Sequence, residues 1–158
     1  MEVKLGGNDF FQKCLAQAVF DVFEMMVGME ANHIMDESDD QLSEGDITGV
    51  MIIQGDRKAM LYLTLKRNDA AEIVSYMTGM TVAEVTDEDL YDGVAELVNM
   101  IAGRAKALLA GTGDHYTITP PFTIVGNGHF IVYKKEVSKF TMKFSAGEAK
   151  LYLGLTYF

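Results

Sequence analysis

The 158-residue chain contains no tryptophan, two prolines and one cysteine, Cys14. A single thiol can form neither a disulfide within the chain nor a zinc centre built from several thiolates. No apolar run approaches the roughly 18 residues typical of a membrane-spanning helix, so membrane insertion is not expected. The first residues, MEVKLGGNDFF, also lack the basic and then apolar order of a secretory signal. We therefore expect a cytoplasmic protein.

Positively charged residues are scarce as well. Lysine and arginine number 13 against 23 aspartates and glutamates, which gives a net charge of -10 and an isoelectric point near 4.6. Nucleic acids and anionic membranes bind clustered cations, so neither is an expected partner. The composition, 49% hydrophobic and 23% charged, is that of a globular protein. The length predicts one domain over residues 1–158.

The pattern of apolar residues predicts helices and hairpins in turn. An almost wholly apolar pattern predicts a helix over residues 9–31. The acidic run over residues 35–46 lacks the ligand spacing and central glycine of a calcium loop, which favours a solvated loop. Two β-rich runs predict a hairpin over residues 47–66, and a short helix over residues 68–77 follows it.

The longest helical pattern begins after Thr86, which forms a capping-box signature with Asp89, and it ends at Gly111 or Gly113. Beyond it, three runs predict strands: GHFIVYKK, SKFTMKFS and AKLYLGLTYF. Together these elements predict an α+β fold, with helices packed on one face of a largely antiparallel sheet. Both halves of the chain run from helix to strands, which hints at an internal duplication. The last run ends at Phe158 and is a potential sheet edge.

The helix that follows Thr86 carries polar residues at regular intervals over residues 92–111, DGVAELVNMIAGRAKALLAG. At about 100° per residue, its apolar side chains fall on one buried stripe: Val94, Leu97, Val98, Ile101, Ala105 and Leu108. The opposite stripe, called the polar stripe below, consists of Asp92, Glu96, Asn99 and Gly103. The residues beside it are mostly small, namely Gly93, Ala95 and Ala102. The polar stripe therefore faces solvent or a partner.

Gly103 is unusual within this stripe. A glycine inside a helix costs roughly 1 kcal/mol relative to alanine, and a larger residue on the polar stripe would not disturb the core. Gly103 is therefore either a tolerated surface residue or a source of clearance for a docked molecule. The spacing of Glu96 and Asn99 also occurs by chance in many proteins, so a solvated surface stripe is the alternative to a functional site.

The segment DGVAELVN, residues 92–99, resembles the D/S-x-x-x-E-x-x-N signature of the CheC–CheX–FliY family of chemotaxis phosphatases. Further segments are similar to the CheX branch of that family: AVFDVFEMMVGMEA, GVMIIQGDRKAMLYLTLK, MTGM and TPPFTIVGNGH. Two-site members carry a second E-x-x-N in the first helix, whereas here Glu24 is followed three residues later by Val27. A single site in the later helix is the CheX pattern, and the resemblance implies a CheC-like fold.

The resemblance also implies an activity and its residues. The substrate would be phosphorylated CheY or a related response regulator that carries a phosphoryl group on an aspartate. Asn99 would hold a water in line with the phosphorus, and Glu96 would bind a lysine beside the phosphoryl group. Asp92 and Gly103 would belong to the partner-binding surface. The magnesium would belong to the regulator, with no cofactor of this chain's own, and pairing through sheet edges would give a homodimer.

A non-catalytic module of the same fold, which binds a response regulator or a flagellar-switch component, is the alternative. The remaining reactive residues favour ordinary structural roles. The three histidines, His33, His115 and His129, share no metal-ligand spacing. Cys14 lies in an apolar helix, which favours a core position over a nucleophile.

Overall fold

The computed structural model describes residues 5–35, 44–55, 57–112, 116–134 and 137–158, with side chains from residue 10 onwards. The helices are α1 (Leu5–Val22), α2 (Arg67–Thr78) and α3 (Asp87–Leu108). The strands are β1 (Ala31–Ile34), β2 (Gly45–Gln54), β3 (Lys58–Leu65), β4 (Thr117–Ile118), β5 (Phe122–His129), β6 (Lys139–Ala146) and β7 (Ala149–Tyr157). A π-helical turn, Phe23–Val27, extends α1, and a 3-10 helix, Val82–Glu84, precedes α3.

All seven strands form one antiparallel sheet in the order β1-β6-β7-β3-β2-β4, and β5 also pairs with β2. The register places Leu63 of β3 between Gly49 of β2 and Leu153 of β7. Because side chains alternate along each strand, the leucines of β3 and β7 point to the same face. The three described helices pack on that face, as the predicted α+β fold requires. The proposed internal duplication stays a hypothesis.

The core lies between the sheet and the helices. Leucines at alternate positions of β3 and β7 are fully buried, as the strand patterns predict. On the β1 side of the sheet, the ring of Phe20 from α1 packs edge-on against Phe144 of β6, with centroids 5.8 Å apart. Cys14 is buried in this core, as its apolar surroundings predict. The core side of the sheet is therefore occupied by helix packing, which leaves the solvent side of the helices, the outer face of the sheet and the sheet edges for a partner.

Two glycines let α3 lie close to its neighbours. A Cβ at Gly49 of β2 would lie 3.0 Å from the carbonyl oxygen of Val94 and 3.0 Å from Cγ1 of Val98, both on α3. On α3 itself, a Cβ at Gly93 would lie 2.5 Å from Cγ2 of Val74 on α2. These separations are shorter than ordinary van der Waals contacts, so the close packing of α3 depends on the absence of both side chains.

The first backbone N–H group of α2 donates a hydrogen bond to a residue of β2. The carboxylate of Asp46 accepts the backbone N–H of Arg67 at 2.8 Å and that of Gly128 at 3.0 Å. These two hydrogen bonds, the Arg67 bond first, hold the pKa of Asp46 below its usual value. The first helical N–H groups have no partner within a helix, so Asp46 stabilises α2 from outside it.

Several predicted boundaries were wrong. The first helix does not reach Ala31, because Gly28 takes the left-handed conformation at φ 82° and ends the π-helical turn. Residues 31–34 instead form the edge strand β1. The run GHFIVYKK, predicted as a strand, contributes only its first two residues to β5, since that strand ends at His129. The predicted acidic loop over residues 35–46 extends into β2 at Gly45, and its residues 36–43 lie outside the described residues.

The C-terminal strand is not a sheet edge, contrary to the prediction. β7 pairs with β6 on one side and with β3 on the other. Its Leu151, Leu153 and Leu155 are buried, and a central position is consistent with such an apolar strand. The sheet instead ends at β1 on one side and at β4 and β5 on the other.

Replacing Gly49 by alanine should destabilise the protein by about 1–3 kcal/mol, because the added methyl group pushes α3 away from β2. Urea unfolding measures the change in the free energy of unfolding. Gly126→Ala is the control, since Gly126 lies in the adjacent strand β5 and a Cβ there meets nothing within 4 Å. Its effect should stay within about 0.5 kcal/mol. Equal stability of the two variants would contradict the close-packing explanation.

Candidate functional site

α3 presents the polar stripe on the side turned away from the sheet. Asp92 and Glu96 are exposed, and Asn99 and Gly103 are half-buried. The predicted buried stripe lies beneath them, and all of its members except the half-buried Leu108 are buried. All four predicted site residues therefore lie on one accessible helix face, with side chains separated by single helical turns.

α3 is held in place at its start and near its end. Thr86 and Asp89 form the predicted capping box: the N–H of Asp89 donates to Oγ1 of Thr86 at 3.2 Å, and the N–H of Thr86 donates to Oδ2 of Asp89 at 2.9 Å. An ion pair between Arg67 and Asp87 joins the starts of α2 and α3. The buried hydroxyl of Tyr116 donates to the carbonyl of Ala102 at 3.1 Å. The polar stripe therefore lies on a well-supported helix.

The small residues near the polar stripe have different surroundings from those predicted. Gly93 and Ala102 are buried, because Gly93 packs against Val74 of α2 and Ala102 lies beneath Tyr116. They permit helix packing and do not border the stripe at the surface. At Gly103, in contrast, an added Cβ would meet nothing within 4 Å. Open space around the stripe is therefore found at Gly103.

An ion pair beside Gly103 joins α3 to α1. Nε of Arg104 donates to Oδ2 of Asp21 at 2.8 Å, and Nε2 of Gln17 donates to Oδ1 of the same carboxylate at 2.8 Å. The hydrogen bond from Gln17 and then that from Arg104 hold the pKa of Asp21 below its usual value. No sequence pattern indicates this contact, because 83 residues separate its partners. It joins the end of α1 to α3 beside Gly103.

The histidines have structural roles where the structure describes them. His33 lies in β1 and stacks on Phe144 at a centroid distance of 5.1 Å. His129 ends β5 and does not open a strand; its Nδ1 donates to the carbonyl oxygen of Gly126 at 2.7 Å, and its Nε2 lies 2.6 Å from Oγ1 of Thr48. His115 lies outside the described residues.

No three carboxylate, histidine or cysteine side chains converge as a metal site within the described parts of the chain. Over the same residues, no helix is both long and apolar enough to cross a membrane.

The two glycines of α3 should respond in opposite directions to the same substitution. Gly103→Ala should raise the free energy of unfolding by about 0.5–1 kcal/mol, because alanine favours the helix and the new methyl group meets open space. Gly93→Ala should lower it, because the methyl group collides with Val74. Chemical denaturation of both variants checks the pair. A destabilising Gly103→Ala would show that the space around Gly103 is needed by the fold itself.

No curated protein matches the chain, but solved structures do. A CheX from Vibrio vulnificus is 25% identical with a TM-score of 0.81, and the match covers 94% of this chain and 99% of that one. A CheC-like superfamily protein from Shewanella sp. PV-4 is 27% identical with a TM-score of 0.77, and the match covers 100% and 99% of the two chains.

A CheX-CheY-BeF3-Mg complex from Borrelia burgdorferi shares the fold, at 19% identity and a TM-score of 0.71, with 93% and 96% of the chains covered. The family profile described as chemotaxis phosphatase CheX matches residues 47–145, which include all of α3 and make up more than half of the chain. The chain therefore belongs to the chemotaxis phosphatase CheX family.

Proposed function

We propose that this protein hydrolyses the aspartyl phosphate of a CheY-like response regulator in the cytoplasm and so terminates a chemotaxis-type signal. The observation that carries the proposal is the placement of Glu96 and Asn99 one turn apart on the accessible face of α3, in a chain of the CheX family. The Borrelia burgdorferi complex of CheX with CheY, BeF3 and Mg supports a regulator as the partner. It also supports a magnesium ion that the bound regulator brings.

Asn99 is the proposed catalytic residue that orients water. Its carboxamide both donates and accepts hydrogen bonds and carries no charge that would repel the phosphoryl oxygens. The water oxygen attacks the phosphorus, and the bond from phosphorus to the aspartyl oxygen breaks to free the aspartate carboxylate. The attacking oxygen keeps one proton in the product phosphate, and the other passes to a phosphoryl oxygen. An acyl phosphate is already reactive, so positioning the water in line can supply the acceleration without a covalent intermediate.

Glu96 is the proposed docking residue beside the reacting atoms. Its exposed carboxylate can form a charge-assisted hydrogen bond with a lysine near the regulator's phosphoryl group. Asp92, one turn earlier and also exposed, adds a weaker docking charge. Gly103, one turn after Asn99, gives the regulator room to approach the helix backbone, which is consistent with the open space around it.

Asn99→Ala should lower kcat by about 100-fold or more, because the attacking water loses its orientation. Glu96→Ala should mainly raise KM, by about tenfold, because one charge-assisted hydrogen bond is worth roughly 1.5 kcal/mol or more. Phosphate release from phosphorylated regulator measures both constants. Glu148→Ala is the control, since Glu148 is an exposed carboxylate outside α3, in the turn between β6 and β7.

Different outcomes identify different failures. Wild-type protein that binds phosphorylated regulator without accelerating phosphate release would be the non-catalytic binding module. Retained turnover in Asn99→Ala would remove that residue from the reaction. A fall in kcat at unchanged KM in Glu96→Ala would contradict the docking role of Glu96.

We also propose that two copies pair through β5. Within the described residues, this strand pairs only with β2, and its Phe122, Ile124 and Val125 are exposed. An apolar edge strand offers unpaired backbone groups to another chain, and natural proteins seldom leave such an edge open. β7 is paired on both sides and offers no such edge.

Sedimentation analysis should give a dimer for the wild-type protein and a monomer for Ile124→Lys, because a charged side chain opposes edge pairing. Val82→Lys should remain dimeric, since Val82 is an exposed apolar residue outside the sheet. A monomeric wild-type protein, or equal behaviour of the two variants, would contradict pairing through β5.

A further inference from the structure

Two adjacent methionines at the end of α1 are unusually exposed. Met25 is 61% exposed and Met26 is 59% exposed. Both belong to the π-helical turn Phe23–Val27, which ends at Gly28, where the N–H groups of Gly28 and Met29 both donate to the carbonyl of Phe23. Single π-helical turns at the ends or inside of α-helices are rare and occur frequently at functional sites. Neither methionine contributes to the buried core.

The alignment of α1 and α3 places these methionines near the polar stripe. Near the start of α1, the ring of Phe11 lies 6.0 Å from that of Tyr116, which follows the end of α3. Near the end of α1, Asp21 contacts Arg104 of α3. The two helices therefore run antiparallel: from Phe11 to Asp21 along α1, the contacted residues go back along the chain from Tyr116 to Arg104.

One helical turn connects this contact to the methionines. Met25 follows Asp21 by four residues, and Met100 precedes Arg104 by four residues. Because four residues advance a helix by about one turn, the antiparallel arrangement puts Met25 near the level of Met100, which is half-buried. Met100 directly follows Asn99. Packed helices have axes about 8–10 Å apart, so the exposed methionines of α1 lie one helix diameter from the polar stripe.

A protein interface needs more surface than the polar stripe provides. From Asp92 to Gly103 the stripe spans roughly 17 Å along one side of a single helix. A standard interface buries about 800 Å² on each partner, and even transient contacts extend beyond one helix face. A regulator docked on the stripe must therefore extend onto α1 or α2, which both pack against α3, and α1 is the one whose end lies near the level of Asn99.

We infer that Met25 and Met26, together with Met100, form an apolar anchor for the same response regulator that the polar stripe engages. This inference rests on the proposed function. Unbranched thioether side chains adapt to differently shaped partners, so they provide affinity beside the docking charge of Glu96, while Asn99 provides the chemistry. An apolar centre beside polar groups is the usual composition of a protein interface. The anchor is a positioning surface and does not touch the reacting atoms.

A second copy of the chain is a less suitable occupant of this surface. α1 packs over the β1 and β6 side of the sheet, where Phe20 meets Phe144. The exposed strand β5 lies at the other edge of the sheet. Pairing through β5 therefore leaves Met25 and Met26 accessible to the regulator.

The test is the double variant Met25→Gln with Met26→Gln. Glutamine keeps the length and helix propensity of methionine and adds no charge, so the fold should be retained. We expect KM for phosphorylated CheY-like regulator to rise about tenfold, as expected when two apolar contacts are lost, with kcat within about twofold of wild type. Affinity for the beryllofluoride-treated regulator should fall by the same factor. Met35→Gln is the matched control, since Met35 is 86% exposed beyond β1.

The outcomes separate this inference from the proposed function. Equal KM values and affinities for the double variant and Met35→Gln would overturn the anchor, whether or not Asn99 acts in catalysis. A fall in kcat at unchanged KM would overturn it too, because the methionines would then affect the reaction geometry. If wild-type protein binds the regulator without turnover, the proposed catalysis fails while the affinity comparison still decides the anchor. If wild-type protein neither turns over nor binds the regulator, both proposals fail. A change of oligomeric state in the double variant would make the methionines a contact between copies and overturn the assignment.

Discussion

The close packing of α3 against β2 at Gly49 is the constraint on which the site depends. The side chains between a helix and a sheet set the distance between them. At Gly49 the carbonyl of Val94 and a methyl group of Val98 occupy the space where a side chain would be. The contact fixes which side of α3 faces the sheet, because the close approach places Val94 and Val98 against β2. The face opposite Val94 and Val98 must then be the one that carries Asn99.

The supports of α3 explain why that face can act as a rigid surface. The capping box at Thr86, the ion pair from Arg67 and the hydrogen bond from Tyr116 come from different parts of the chain and restrain successive parts of the helix. A side chain that must position a water molecule needs such a scaffold, since small displacements are costly in catalysis. The acidic first turn of α3 stabilises the helix start through its dipole and adds negative potential near Glu96. In the proposed docking step, this potential favours a lysine of the regulator and would be weakened by salt.

Much of the fold and of the candidate site could be predicted from local patterns. The capping box, the hairpin β2–β3 and the phase of the polar stripe each depend on residues within a few positions of one another, and all three agree with the structure. The predictions were wrong where the structure depends on contacts between residues far apart in the chain. The small size of Gly93 was noticed, yet its neighbour Val74 could not be inferred because it belongs to another helix. Likewise, β7 looked like an edge because nothing local indicates that β3 and β6 would pair with it from both sides.

The sequence by itself determined the composition of the polar stripe and its helical phase, because a period of 3.6 residues places Glu96 and Asn99 together wherever the helix is packed. It also determined the apolar alternation of the strands. Only the tertiary structure decided the ion pair of Asp21 with Arg104, the alignment of α1 beside α3, and the place of β5 at one end of the described sheet. These features depend on contacts between residues far apart in the chain, and such contacts leave no periodic trace in one sequence.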